Sequence, residues 1–395
     1  MIMSLRLSAP KGDTEVTLSF EQKKDFEQRG FSRRHFARLA TMLAAGSALP
    51  FYNEFALAQE VNSKRLPPGA VKLDNNENPL GPCREAQQAM HDIIPHGNRY
   101  MFFMPGDLQK VLAAQEGLKP NYIQAHMGSS PALHQAVLSF TSPTRPFVTA
   151  DPGYEAGEQS AKFIGAKVIN VPLTKDYAHD VRAMASADPN TGLIYVCNPN
   201  NPTGTLTSRE DLEYLMAHKP SGAIVLLDEA YIHFAGIQSA ADMVAADKDI
   251  IILRTFSKVY GMAGLRAGVA MGRPDLLKKT RGFGINWLPV TSMAGAIASL
   301  QAKEVVPERR KINQDTRQDV FAFFDKHGIH YVPSVSNKFM VDTGRPGKDV
   351  IEALRQQNIY IGRVWPSWPT YVRVSIGTPE EMGKFKAAFL KVLAA

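Results

Sequence analysis

The stretch TFSKVYGMAGLRAG at residues 255–268 constrains this chain more than any other. It follows DIIILR at 249–254, an apolar run whose length and β-branched content suit a buried strand of a parallel sheet. Thr255, Ser257 and Lys258 therefore stand at or just beyond the carboxyl end of a strand, the edge at which open α/β sheets keep their ligands. A lysine behind two hydroxyl residues, with Arg266 eight positions on among glycines, supplies an amine for covalent attachment of an aldehyde and several groups for a phosphate. A serine-lysine pair alone is most often a solvated loop feature, so the neighbouring segments decide.

Two upstream runs end in complementary groups. AIVLLDEAY at 223–231 is a second buried strand that closes on Asp228, a carboxylate able to keep a pyridine nitrogen protonated, with Tyr231 three residues on in reach of a ring hydroxyl. LIYVC at 193–197 is a third, and it ends in NPNNPTG at 198–204, whose prolines and glycine fix a loop that presents amides, Asn201 among them. An amine, a ring-nitrogen partner and a phosphate site are together what pyridoxal 5'-phosphate requires. From residue 147 to 272 such strands alternate with helical stretches, at 155–164 and 208–217 for example, the pattern of βαβ units in a mostly parallel sheet. Single cores stop growing at roughly 250 to 300 residues, so a chain of 395 divides into lobes. We assign residues 59–97 to an amino-terminal arm and substrate-entrance segment, 98–303 to a large cofactor domain and 304–395 to a smaller α/β domain.

NPNNPTG, DEAY and TFSKVYGMAGLRAG, in that order, resemble the class I/II aminotransferases that use pyridoxal 5'-phosphate, nearest to the histidinol-phosphate aminotransferase branch. The resemblance runs from about Leu73 to the carboxyl terminus. It implies the α/β fold of the fold type I transferases, with a mostly parallel central sheet flanked by helices and a smaller carboxyl-terminal lobe. It also implies Lys258 as the catalytic lysine, Asp228, Tyr231 and Asn201 on the cofactor ring, and Thr255, Ser257 and Arg266 on its phosphate. Gly128, Ser129 and Ser130 precede Pro131 at a helix start whose N–H groups form an anion site. The family usually has acidic residues after that glycine, so the backbone role carries over and the side-chain role does not; each serine is otherwise a plain helix cap.

Four further positions come from the resemblance, each with a plainer alternative. Tyr154 in DPGY is implied to stack on the ring and is otherwise a packed tyrosine. Tyr100 follows Arg99 as in the family's R-Y-P, with Met101 in place of proline. It is implied to reach the phosphate of a neighbouring subunit, hence a homodimer with shared sites, and is otherwise a core aromatic. Asn78 lies in LDNNENPLG at 73–81, similar to the family's substrate-entrance segment, or a turn of capping residues. Arg373 in the apolar strand YVRVSI is expensive unless an anion meets it, and is implied to clamp the substrate's anionic end or else to form a structural ion pair. The histidinol-phosphate branch carries a substrate arginine one position away from Arg363, which here stands beside Trp365 and Trp368, a rim suited to an aromatic amino acid.

The expected activity is transfer of an amino group between an amino acid, aromatic ones included, and a 2-oxo acid in two half-reactions. Histidinol phosphate as donor is one alternative. A decarboxylase, lyase or racemase on the same fold is another, and a non-catalytic cofactor sensor is disfavoured by the full set of Lys258, Asp228, Tyr231, Asn201 and Arg373. The net charge of +7 is mild and dispersed, and points to no nucleic acid. SRRHFAR at 32–38, the weakly apolar run at 39–49 and ALA at 56–58 resemble a twin-arginine export signal cleaved after Ala58, which implies a periplasmic enzyme carried across already folded by the twin-arginine machinery. That run is too short for a permanent membrane anchor, and a capped amphipathic helix in a cytoplasmic protein is the other reading. Cys83 and Cys197 are explained as loop and core residues without a disulfide, and no metal-ligand motif is read among the ten histidines.

Overall fold

The computed structural model describes residues 24, 26–32, 66–284 and 287–394. The export-signal reading covers residues 1–58 with its motif from Ser32, and all of it but residues 24 and 26–32 lies outside the described residues. Within it, Phe26 and Phe31 are buried on the main core, and Arg29 between them donates to the carbonyls of Leu138 at 2.7 Å and Thr141 at 3.0 Å.

The large lobe is built on seven strands: β2 Ile123–His126, β3 Phe147–Asp151, β4 Val168–Pro172, β5 Leu193–Cys197, β6 Ile224–Asp228, β7 Ile250–Thr255 and β8 Gly268–Gly272. They lie in the order β2-β8-β7-β6-β5-β3-β4. All pairs are parallel except those of β8, which runs antiparallel to β7 and β2. Residues of β5, β6 and β7 are buried along their whole length, which is why these strands read as continuous apolar runs rather than as alternating ones. Helices Arg84–Ile93 (α1), Ser129–Phe140 (α2), Ala156–Phe163 (α3), Arg209–His218 (α4) and Val290–Gln301 (α5) belong to this lobe, with α1 packed along α5.

A second, separate core forms the smaller lobe. Long helix Val305–His327 (α6) leads into β9 Lys338–Asp342, helix Gly347–Arg355 (α7), β10 Ile359–Ile361, β11 Tyr371–Ser375 and the closing helix Pro379–Ala394 (α8). Strands β9 and β11 pair antiparallel, and Phe324, Phe339, Phe385 and Phe389 fill the space beneath them. This core also takes in Val71 and Leu73. Val71–Leu73 is a strand, β1, parallel to β10, within the stretch assigned from sequence to an amino-terminal arm and substrate-entrance segment. A three-residue strand has too few positions to show a period, and its partner lies at the other end of the chain.

The registers place the site. Cys197 pairs with Asp228, Asp228 pairs with Leu253, and Thr255 pairs with Gly268, so the carboxyl ends of β5, β6 and β7 and the start of β8 meet at one edge. Strand β2 reaches the same edge, with His126 opposite Gly268, and hands over to α2. A Cβ on Gly268 would lie 2.5 Å from the Gly128 carbonyl carbon and 2.6 Å from the Ser129 nitrogen, so only glycine lets the start of α2 press onto β8.

Candidate active site

A cavity of about 420 Å³ opens at this edge. One end is lined by Ser129 and Ser130 at the start of α2, by Thr255 and Ser257 after β7, and by Arg266. Thr255 Oγ1 accepts from the Ser257 amide at 3.1 Å and donates to Ser257 Oγ at 3.0 Å, which folds the chain back on itself as soon as β7 ends. Arg266 occupies the left-handed region at φ 53°, sparsely populated for a residue with a side chain. Its guanidinium donates to the Ala263 carbonyl at 2.8 Å and to Ser257 Oγ at 3.4 Å. It also packs against Gly128, φ 81°, where a Cβ would come within 2.5 Å of Nη2. Burial pulls the Arg266 pKa below its ordinary value, an environment that favours an anionic partner.

The other end is acidic and aromatic. Asp228 accepts from the Tyr195 hydroxyl at 2.9 Å and from the Ala230 amide at 3.1 Å. Burial raises its pKa to about 6, against those two hydrogen bonds and the positive charges of Lys258 and Lys338, which favour the carboxylate. Tyr231 accepts at its hydroxyl from Asn76 Nδ2 at 3.0 Å, and the same amide reaches Asn201 Oδ1 at 3.3 Å. Lys258 also lines the cavity, its Nζ donating to the Asn75 carbonyl at 3.2 Å. Tyr154, Asn201, Asp228, Tyr231 and Lys258 all line the cavity.

These groups fit pyridoxal 5'-phosphate. The end with the helix start, two hydroxyl residues and Arg266 presents donors to an anion, and none of those lining groups is acidic. The opposite end holds a buried carboxylate whose two hydrogen bonds come from neutral donors, suited to a cationic ring nitrogen.

Four residues expected at the site do not line the cavity of the single chain. Arg373 is only 1% exposed and stands behind Asn201, donating to its Oδ1 at 3.0 Å and to the Asp74 carbonyl at 2.6 Å. Asn78 turns its amide to the Val259 carbonyl at 3.0 Å and does not line the cavity; Asn75 and Glu77 do. Arg363 is held by Glu155 through both terminal nitrogens, one of them at 2.8 Å. Tyr100 is 72% exposed and stacks on Phe102 with Trp287 edge-on to both rings. The expected tryptophan rim is corrected as well: Trp365 is buried, donates its indole N–H to the Gly153 carbonyl at 2.8 Å, and carries the Arg363 guanidinium 4.0 Å above its ring. Its size and its one polar atom both find partners inside, so it packs as a wedge between the lobes.

Sequence reasoning missed Asn76, Tyr195 and Lys338. Asn76, at φ 52°, bridges the lobes, its amide N–H donating to Ser375 Oγ at 2.8 Å and its carbonyl accepting from Asn337 at 3.0 Å. Tyr195 was hidden within an apolar run. A lone lysine opening the apolar strand KFMVD was the one signal for Lys338.

Comparison with known proteins places this geometry. The family described as aminotransferase class I and II matches residues 68–389. The chain is 33% identical over 341 residues to a histidinol-phosphate aminotransferase of Moorella thermoacetica, covering 82% of this chain and 86% of that one. It is 34% identical over 326 residues to histidinol-phosphate aminotransferase 1 of Nitrosococcus oceani, covering 80% and 87%. Among solved structures it is similar to the histidinol-phosphate aminotransferase of Sinorhizobium meliloti in complex with pyridoxal-5'-phosphate, with a TM-score of 0.78 at 25% identity over 88% of this chain and 96% of that one. The aspartate aminotransferase of Thermus thermophilus shares the fold, with a TM-score of 0.73 at 19% identity over 89% and 98%.

Proposed function

The chain belongs to the class I and II aminotransferases, and on that premise we propose that it moves an amino group from an α-amino acid to a 2-oxo acid, with Lys258 as the proton carrier. Its fold is that of the fold type I transferases and its cofactor is pyridoxal 5'-phosphate, which when bound acts as an electron sink for the substrate's α-carbon. Lys258 Nζ would hold the cofactor through its amine and, once the substrate amine takes its place, would carry the proton removed from the substrate's α-carbon. The Asp228 carboxylate would meet the positive charge of the ring nitrogen. Tyr231 and Asn201 would hold the ring hydroxyl, Tyr154 would pack on the ring, and Thr255, Ser257, Arg266 and the first amides of α2 would hold the phosphate. Arg373, kept in place by Asn201 and the Asp74 carbonyl, takes the substrate carboxylate.

The observation that carries an amino acid over a phosphate ester is the Arg363–Glu155 pair. The arginine nearest to the branch's substrate position already has a carboxylate on both terminal nitrogens, and around β1 the cavity lining adds Asp74 and Glu77 against Lys72 among the described residues. A dianionic phosphate meets net negative charge there. The export segment read at residues 32–58 favours the same conclusion, because a periplasmic enzyme lies away from histidine biosynthesis. Histidinol phosphate remains the second reading, favoured by the relatives at 33 and 34% identity. The test is the visible spectrum of the loaded enzyme as amino acids and histidinol phosphate are added singly without an acceptor. One amino acid is expected to consume the band stoichiometrically and leave the aminated cofactor. Preference for histidinol phosphate would sink this reading, and no response to any donor would favour a lyase or racemase. Glu155→Gln, by releasing Arg363, is expected to raise kcat/KM for histidinol phosphate by about tenfold, the scale of one charge-assisted hydrogen bond.

The enzyme is proposed to work as a homodimer. Tyr100, Phe102, Phe103 and Trp287 form an exposed aromatic patch of the kind that marks an interface, and Tyr100 then reaches the partner's phosphate site. Sedimentation at micromolar concentration is expected to give two chains per particle; a monomer with full activity would remove this assignment.

A further inference from the structure

Lys338 opens β9 with a side chain that is 0% exposed. The alternation of paired strands explains its direction. Phe339, Val341, Val372 and Val374 enter the small-lobe core, which leaves Lys338, Met340, Arg373 and Ser375 on the opposite face of the β9–β11 ribbon, toward the large lobe. There the Lys338 ammonium lies 3.1 Å from the centroid of the Tyr231 ring and donates to Ser336 Oγ at 3.0 Å. The Nζ of Lys258 is 5.6 Å from the same centroid. Two lysines from different lobes therefore converge on one tyrosine whose hydroxyl faces the site.

An ammonium without solvent is costly unless its surroundings offset the loss, and a methionine would fill similar volume with no such cost. The ring face and the Ser336 hydroxyl offset part of it. The rest of the surroundings are the groups of the site. From β6 comes Asp228, whose ionised form the Lys338 charge favours; from β5 comes Cys197, whose thiol burial pushes up; from β11 come Arg373 and Ser375. The position gains a charge where packing alone asks for none.

We propose that Lys338 is a positioning residue of the aminotransferase site, acting through Tyr231: its ammonium clamps the tyrosine ring from the small lobe and sets a positive potential that makes Lys258 hold its proton less tightly. This rests on the assignment of Lys258 and Tyr231 above. A second consequence is that the clamp joins the lobes, since Lys338 moves with β9 and Tyr231 with β6. Closure of one lobe on the other then alters the potential at Lys258.

The test is a pH titration of the visible band of the loaded, full-length enzyme. In Lys338→Met, which keeps length and removes charge, the midpoint is expected to rise by about one pH unit, while Lys338→Arg keeps the wild-type midpoint. Ser336→Ala, which removes only the hydroxyl that holds the ammonium, is expected to move the midpoint by a few tenths and keeps the question decidable if the methionine variant does not fold. Midpoints unchanged in the folded variants would overturn the proposal and leave Lys338 a packing residue. A wild-type enzyme with no titrating visible band would instead refute the underlying assignment of Lys258, and this proposal with it.

Discussion

Replacing Lys258 with alanine is expected to lower turnover by at least about 10⁴-fold while leaving the cofactor bound. Loss of one positioned acid-base group accounts for up to about 10⁴-fold, and loss of the covalent anchor adds to it. Binding persists because Lys258 is one group among many: the start of α2, Thr255, Ser257 and Arg266 remain at one end of the cavity and Asp228 at the other. The variant is checked by single-turnover absorbance with the preferred donor, and by adding a small primary amine such as methylamine. Partial rescue by the amine is expected, because a soluble base then occupies the space left by the side chain. Turnover within tenfold of the wild type would end the assignment of Lys258 as proton carrier.

Asp228→Ala is expected to cost about 10³-fold in activity, in line with the 3–5 kcal/mol lost when one member of a buried charge pair is removed. The same residue predicts an opposite effect on the apoprotein. Burial raises the Asp228 pKa from 3.8 to about 6, so the folded chain binds this proton more tightly than the unfolded chain does. Its contribution to stability is therefore greatest at low pH, falls as pH rises from about 4 to about 6, and amounts above that to a penalty of roughly 3 kcal/mol. Asp228→Asn keeps the shape and removes the charge. Its apoprotein is expected to melt a few degrees above wild-type apoprotein at pH 8, with the difference vanishing toward pH 4, while the loaded variant is nearly inactive. A neutral site that is more stable empty and useless when filled is what a carboxylate kept for a cationic ring requires. Equal melting temperatures at pH 8 would mean that Asp228 is well solvated or already neutral there.

The groups that chemistry requires were the most legible part of the chain. Lys258, Asp228 and Asn201 each follow an apolar run, and a buried strand of a parallel sheet announces itself by that continuity. Once three such strands are read, their carboxyl ends share an edge and the residues just beyond them share a site. The start of α2 was legible for a similar reason, because glycine, serine and proline at a helix start have local conformational causes. The small lobe was read less completely. Strands β9 and β11 show in their β-branched and aromatic residues, whereas β1 and β10, three residues each, show only when paired.

Sequence by itself determined the cofactor and the sheet and singled out Lys258 as the candidate lysine, because these depend on runs of neighbouring residues whose period and end signals survive without a fold. The tertiary structure alone decided what each charge meets. Arg363 reads as a substrate arginine until Glu155 is found on it, Trp365 as a rim until Gly153 accepts its N–H, and Lys338 goes unread until it is found on the Tyr231 ring. Those contacts join residues from opposite lobes, and a charge has no local signature of its partner: its meaning is set by whatever the fold brings within a few ångströms of it.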